Sequence, residues 1–115
     1  MGADPTTPEA LDALLEDAFV LRDTDIVSSM FEPGAVVVAG CEFRGAKRIT
    51  EAVTAMWERG LTYLAEPRRV VQARDAALVI TDQAISVMRR TDDGVWRYTI
   101  ALLNLDRNPT KGGTS

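Results

Sequence analysis

The side chains able to do chemistry concentrate in one stretch, ALVITDQAISVMRRTDDGVWRYTIALLN, from Ala77 to Asn104. It reads as two long strands joined by the turn TDDG, with Gly94 in the left-handed region and Thr91 opposite Val95. Strict alternation then sets Met88 opposite Tyr98, Ser86 opposite Ile100, Ala84 opposite Leu102 and Asp82 opposite Asn104. One face collects Asp82, Ala84, Ser86 and Met88 beside Trp96, Tyr98, Ile100, Leu102 and Asn104. Small residues, aromatics and a few polar groups on one wall suit a ligand cavity. The other face carries Thr81, Gln83, Ile85 and Val87 beside Arg97, Thr99, Ala101 and Leu103. Uncharged at its centre, it suits a contact between subunits. A one-residue bulge would exchange the two faces.

Asp82 is the candidate acid or base. Desolvation in an apolar cavity would raise its pKa, making it a general base or, when protonated, a hydrogen-bond donor. In a second reading it bonds Asn104 or a backbone amide and only shapes the sheet; both stay open. Tyr98 and Tyr63 are candidate donors to a ligand carbonyl. Phe19, Trp57 and Trp96 are candidate cavity walls, and aromatics in such a pattern also make plain core. Asp23 and Asp25 read as helix caps. Cys41 is the single cysteine and there is no histidine, so nothing nearby in sequence activates a thiol. Without His or Cys clusters no metal site is expected, and the chemistry needs no cofactor.

These residues need a scaffold. In TTPEALDALLEDAFVLR, Thr7 caps a helix with Pro8 at its first position and Leu11, Leu14, Leu15, Ala18, Phe19 and Arg22 at helical spacing. A short second helix follows Asp23 or Asp25, carries Ile26, Val27, Met30 and Phe31, and stops at Pro33-Gly34. AVVVA is a strand and GCEFRG a turn or brief return strand. AKRITEAVTAMWERG is a third helix with Ile49, Val53, Met56 and Trp57 on one face and Gly60 at its end. The stretch from Leu61 is extended and, because of Pro67, belongs at a sheet edge. Helices precede most strands, the segregated order of an α+β fold.

The chain of 115 residues is expected to form one domain, ordered over about 8–106 with loose termini. Hydrophobic residues at 46% and charged residues at 26% argue against disorder. A net charge of −4 disfavours nonspecific binding to nucleic acid or anionic membranes. No apolar run approaches a membrane span, the start lacks the layout of a signal peptide, and a lone cysteine suits the reducing cytoplasm.

The paired N-terminal helices through RDTDIVSSMFEPGAVVV, the segment FRGAKRITEAVTAMWERG and the ending DGVWRYTIALLN, in that order, resemble the nuclear-transport-factor-2-like superfamily, in particular its small bacterial ketosteroid-isomerase-like and SnoaL-like members. The resemblance covers about Pro8 to Asp106. It implies a curved antiparallel sheet wrapped around helices into a cone, an apolar cavity at the open end, and a homodimer through the outer sheet face, here Gln83, Ile85, Val87, Thr99, Ala101 and Leu103. Function does not follow from such a fold. The acid-histidine pair of SnoaL-type cyclases cannot be carried over, nor can the Asp-Arg-Asp arrangement of limonene-epoxide-hydrolase-like enzymes. The expectation is a cytoplasmic homodimer that binds or acts on a small apolar molecule, such as an intermediate of secondary metabolism. If it is an enzyme, the chemistry is cofactor-free isomerisation, cyclisation, dehydration or hydrolysis, with Asp82 as base. The alternative is a noncatalytic carrier or a dimerisation module whose cavity its own side chains fill.

Overall fold

A computed structural model describes residues 4–64 and 68–105. The first helix, α1 (Pro8–Leu21), starts where the Thr7 hydroxyl accepts a hydrogen bond from the Ala10 amide at 3.0 Å, with Pro8 in the first turn. It ends at Arg22, whose backbone is left-handed at φ 53°. Helix α2 (Thr24–Ser29) is capped by Asp23, whose carboxylate accepts from the Asp25 and Ile26 amides. Strands β1 (Phe31–Ala39) and β2 (Cys41–Arg44) form a hairpin before α3 (Ala46–Glu58). Four more strands follow: β3 (Arg68–Ala73), β4 (Ala76–Thr81), β5 (Ala84–Arg90) and β6 (Trp96–Leu103).

The six strands make one curved, unclosed sheet in the order β2-β1-β6-β5-β4-β3, with β1 and β6 parallel and the other pairs antiparallel. The fold is α+β, as the segregated order of elements predicts. One apolar cluster joins Leu11, Leu15, Ala18 and Phe19 of α1 and Ile49, Val53, Met56 and Trp57 of α3 to the inward residues of the sheet. The β3 edge position agrees with the sequence. Pro67, the first three residues and residues 106–115 lie outside the described residues.

Three expectations need correction. The segment Ala77–Arg90 is two strands, because the chain turns at Asp82 and Gln83. The Gln83 side chain holds that turn to the segment after α3: its Oε1 accepts from the Leu64 amide at 3.0 Å and its Nε2 donates to the Thr62 carbonyl at 3.4 Å. Asp82 is exposed on the turn, outside the cone. Secondly, Phe31 to Gly34 do not end a helix; Phe31 already pairs with Tyr98, and the register of β1 shifts before Val36.

The third correction sets which side chains face inward. The turn at Thr91–Val95 forms as expected, with the Thr91 amide donating to the Val95 carbonyl at 2.9 Å and Gly94 at φ 80°. Met88 does pair with Tyr98, but Val87 pairs with Ile100, leaving Thr99 as the extra residue of a bulge. Past it the faces of β6 exchange. Ser86 lies opposite Ala101 and Ala84 opposite Leu103, while Ile100 and Leu102 face outward, 40% and 43% exposed. Ala101 and Leu103, expected at a subunit contact, are buried inside, and Asn104 is exposed. The Thr99 hydroxyl donates to the Glu32 carboxylate at 2.7 Å, and Arg89 bonds the same oxygen at 3.1 Å, anchoring the bulge to β1.

Ala101 is fully buried, so Ala101→Leu should overpack the core and cost about 1–3 kcal/mol, while Ile100→Leu stays within about 0.5 kcal/mol of the parent. Urea denaturation checks this. The reverse ranking would restore the uninterrupted alternation and sink the bulge.

Candidate functional site

Asp12 occupies the second turn of α1, inside the stripe that Leu11, Leu15, Ala18 and Phe19 bury. No part of it reaches solvent. Two tyrosine hydroxyls converge on one of its oxygens: Tyr63 donates to Oδ1 at 2.6 Å and Tyr98 donates to the same atom at 2.8 Å. The other oxygen, Oδ2, is buried with no hydrogen-bond partner among the described residues. Both tyrosines are themselves fully buried. Tyr98 comes from the first half of β6, stacked on Phe31 with ring centroids 5.2 Å apart and its amide tied to the Met30 carbonyl at 2.8 Å. Tyr63 comes from the irregular segment after α3, which Gln83 fastens to the β4–β5 turn.

Opposing influences set the protonation of this carboxyl. Burial pushes the Asp12 pKa up, and Glu16, one helical turn away, adds in the same direction. The two tyrosine hydrogen bonds and the positive charge of Arg68 pull it down, but burial prevails and the net shift is upward. Burial and the neighbouring carboxylate also raise both phenols well above their ordinary range, so the hydroxyls stay protonated and donate. A carboxyl displaced toward neutrality, oriented through one oxygen and bare at the other, is equipped to take and return a proton.

The rest of the interior around this group is aromatic. Phe19 packs edge-on against Trp57, centroids 6.1 Å apart, and against Tyr63 at 6.2 Å. Trp57 carries the second buried polar atom without a partner, its indole Nε1. Arg22 donates to the Trp57 carbonyl at 2.9 Å and so fixes the end of α3 to the end of α1. Ser86, Met88 and Trp96 line the inner face, as the alternation predicts.

The structure thus brings Tyr63, Tyr98, Phe19, Trp57, Ser86, Met88 and Trp96 to the interior and leaves Asp82, Ile100, Leu102 and Asn104 outside it. The acid among the tyrosines is Asp12, which the sequence reading passed over. Its signal was present: Asp12 precedes Leu15 by three residues and Phe19 by seven, on the buried stripe of α1, where an unpaired carboxylate is costly. Among the described residues, no group of three acidic, histidine or cysteine side chains is placed to hold a metal ion. A cleft of about 560 Å³ on the outside, lined by Asp17, Asp23, Asp25 and Arg97 among others, does not include Asp12.

Substitution of Asp12 by Asn keeps an acceptor for both hydroxyls and removes the titration. Because the folded-state pKa of Asp12 is raised, the folded protein binds the proton more tightly than the unfolded chain. The stability linked to it is complete at low pH and is lost as pH rises from about 4 through the folded pKa. Melting temperatures of parent and Asp12→Asn, measured from pH 4 to 8, should diverge upward in pH in favour of the variant. A constant offset would show that Asp12 titrates normally.

No family model matches the chain, and no curated protein is similar to it in sequence. Solved structures are similar in fold. A ketosteroid isomerase-like protein from Erwinia carotovora atroseptica superposes with a TM-score of 0.71 at 17% identity, over 87% of this chain and 94% of that one. An uncharacterized protein with a cystatin-like fold from Caulobacter vibrioides gives 0.72 at 17% identity, over 93% and 92%. An NTF2-like protein from Novosphingobium aromaticivorans gives 0.67 at 15% identity, over 91% and 84%. The chain has the NTF2-like, cystatin-like fold.

Proposed function

We propose that this protein binds a small, largely apolar carbonyl compound inside the cone and moves a proton on it, with Asp12 as the acid-base group and no cofactor. The observation that carries the proposal is the divided carboxyl: Oδ1 held by Tyr63 and Tyr98, Oδ2 buried without a partner. Ionised Asp12 removes a proton from the carbon beside the carbonyl through Oδ2, and the electron pair moves onto the carbonyl oxygen as an enolate. The proton then returns to a different carbon in an isomerisation, or leaves with a hydroxyl group as water in a dehydration. Tyr63 and Tyr98 position the carboxyl. An intermediate of secondary metabolism is a substrate of this chemistry, and the exposed single Cys41 fits a reducing cytoplasm. Among the described residues, no helix is long and apolar enough to cross a membrane.

Deuterium exchange tests the base directly. In D2O, the protein should accelerate loss of the α-proton NMR signal from small apolar ketones, and Asp12→Asn should slow it about 10²–10⁴-fold. Exchange at the buffer rate, or an unchanged rate in the variant, would overturn the reading. The second reading, a noncatalytic module filled by its own side chains, has one observation in its favour: Met56, Trp57, Met88 and Trp96 are all buried in the interior. Absence of exchange favours it.

The outer sheet face supports a homodimer, through residues partly different from those the alternation names. Pairing aligns Val36, Ile100, Val87, Leu78 and Val71 in a row across five strands, beside Leu102 and Ile85 in the next. An apolar band this continuous is unusual on a monomer. Sedimentation equilibrium should show a dimer for the parent and a monomer for Ile100→Lys; a parent that sediments as a monomer would refute the interface.

A further inference from the structure

Asp12, Tyr63 and Tyr98 retain no exposure, so anything that exchanges with the carboxyl waits for one of its walls to move. The walls differ in what moving them would break. Asp12 itself belongs to the helical ladder of α1, and Tyr98 sits in β6, which pairs with β1 on one side and β5 on the other. Displacing either breaks regular structure. Tyr63 is carried by residues 61–64, which belong to neither helix nor strand. Thr62 and Leu64 are exposed there, so the segment rests on the body through Tyr63 and, in part, Leu61.

Three features suit these residues to move as a unit. They leave α3 at Gly60, left-handed at φ 77°, a position free to absorb backbone rotation. Their far side is fastened by one side chain: Gln83 accepts from the Leu64 amide at 3.0 Å and donates to the Thr62 carbonyl at 3.4 Å, and both bonds face solvent, where water competes for each group. The closed arrangement also leaves Asp12 Oδ2 without a partner among the described residues. Water admitted beside that oxygen makes a hydrogen bond that the closed state lacks, which offsets the loss of the Tyr63 bond.

We infer that residues 61–64 form a strap that swings outward about Gly60 to admit water or ligand to Asp12, with Gln83 as the positioning residue that latches it shut. The inference follows from burial and bonding, and it stands whether or not Asp12 works as a base. Where Asp12 does, opening precedes turnover. The backbone of Gln83 is held separately, its amide by the Thr81 hydroxyl at 3.1 Å and its carbonyl by the Asn104 amide at 2.8 Å, so changing the side chain leaves the turn in place.

The chain has two tyrosines, both buried on Asp12, one on the strap and one on the sheet. N-acetylimidazole, which acetylates phenol hydroxyls that reach solvent, therefore carries its own reference when the products are mapped by peptide mass spectrometry. Tyr63 of the parent should be modified at least about tenfold faster than Tyr98, since a strap opens more readily than the whole fold. Gln83→Met, similar in length but without either hydrogen bond, should speed Tyr63 by about another tenfold and leave Tyr98 unchanged. Equal rates at the two tyrosines of the parent, which need no variant to observe, would mean that only global unfolding exposes them and would overturn the strap. A Tyr63 rate that Gln83→Met does not raise, or raises together with that of Tyr98, overturns the latch. Proton exchange from a ketone enters none of these readouts, so this inference and the acid-base reading fail separately.

Discussion

One buried carboxyl constrains much of this interior, because two of its largest buried side chains, Tyr63 and Tyr98, are fixed to Asp12. Removing a carboxylate from water is unfavourable by several kcal/mol unless hydrogen bonds or charge offset it, and here the offset comes from two phenols and, more weakly, from Arg68. The constraint reaches outward. Tyr98 must face inward in the first half of β6, Tyr63 must be held by an irregular segment, and that segment is secured by Gln83 on the β4–β5 turn. The compensation is incomplete, because Oδ2 gains no partner. A half-satisfied acid is uncommon in a core held by packing alone, and that imbalance is what makes Asp12 the candidate group.

The scaffold was largely legible in the chain. Thr7, Pro8 and Asp23 announce helix starts by the chemistry of their side chains, and TDDG announces a turn by the left-handed preference of Gly94. Helical periodicity located α1 and α3 because each buries one face. The site was less legible. The turn at Asp82 and Gln83 lacks Gly, Pro or Asn, and its register is fixed by Gln83 reaching a segment some twenty residues earlier. The Thr99 bulge has no local signature either; it is stabilised by Glu32 from a strand distant in sequence. Both features come from tertiary contacts that alternation cannot encode. Asp12 was a different case, since a carboxylate on an apolar helix stripe is visible without any structure.

The bulge also reconciles two demands on β6. Before it, Trp96 and Tyr98 supply large inward groups to the interior; after it, the small Ala101 faces inward and the larger Ile100 and Leu102 face out. An uninterrupted strand would have put Ile100 and Leu102 in the core and left Ala101 and Leu103 on the surface. One unpaired residue therefore provides both an inner wall of varying depth and an apolar outer band.

The pairing of β1 with β6 sets an order of events during synthesis. Phe31 finds its partner at Tyr98, and Asp12 finds its two partners 51 and 86 positions downstream. The segments of α1, α2 and the β1–β2 hairpin all precede β6 in the chain, so β1 has an unpaired edge until that strand docks. Over that interval Asp12 can remain hydrated and charged, which keeps the otherwise apolar stripe of α1 from being a uniformly sticky surface. The dehydration of this carboxyl is thereby coupled to the docking of the last strand, because Tyr98, one of its two donors, is carried on β6.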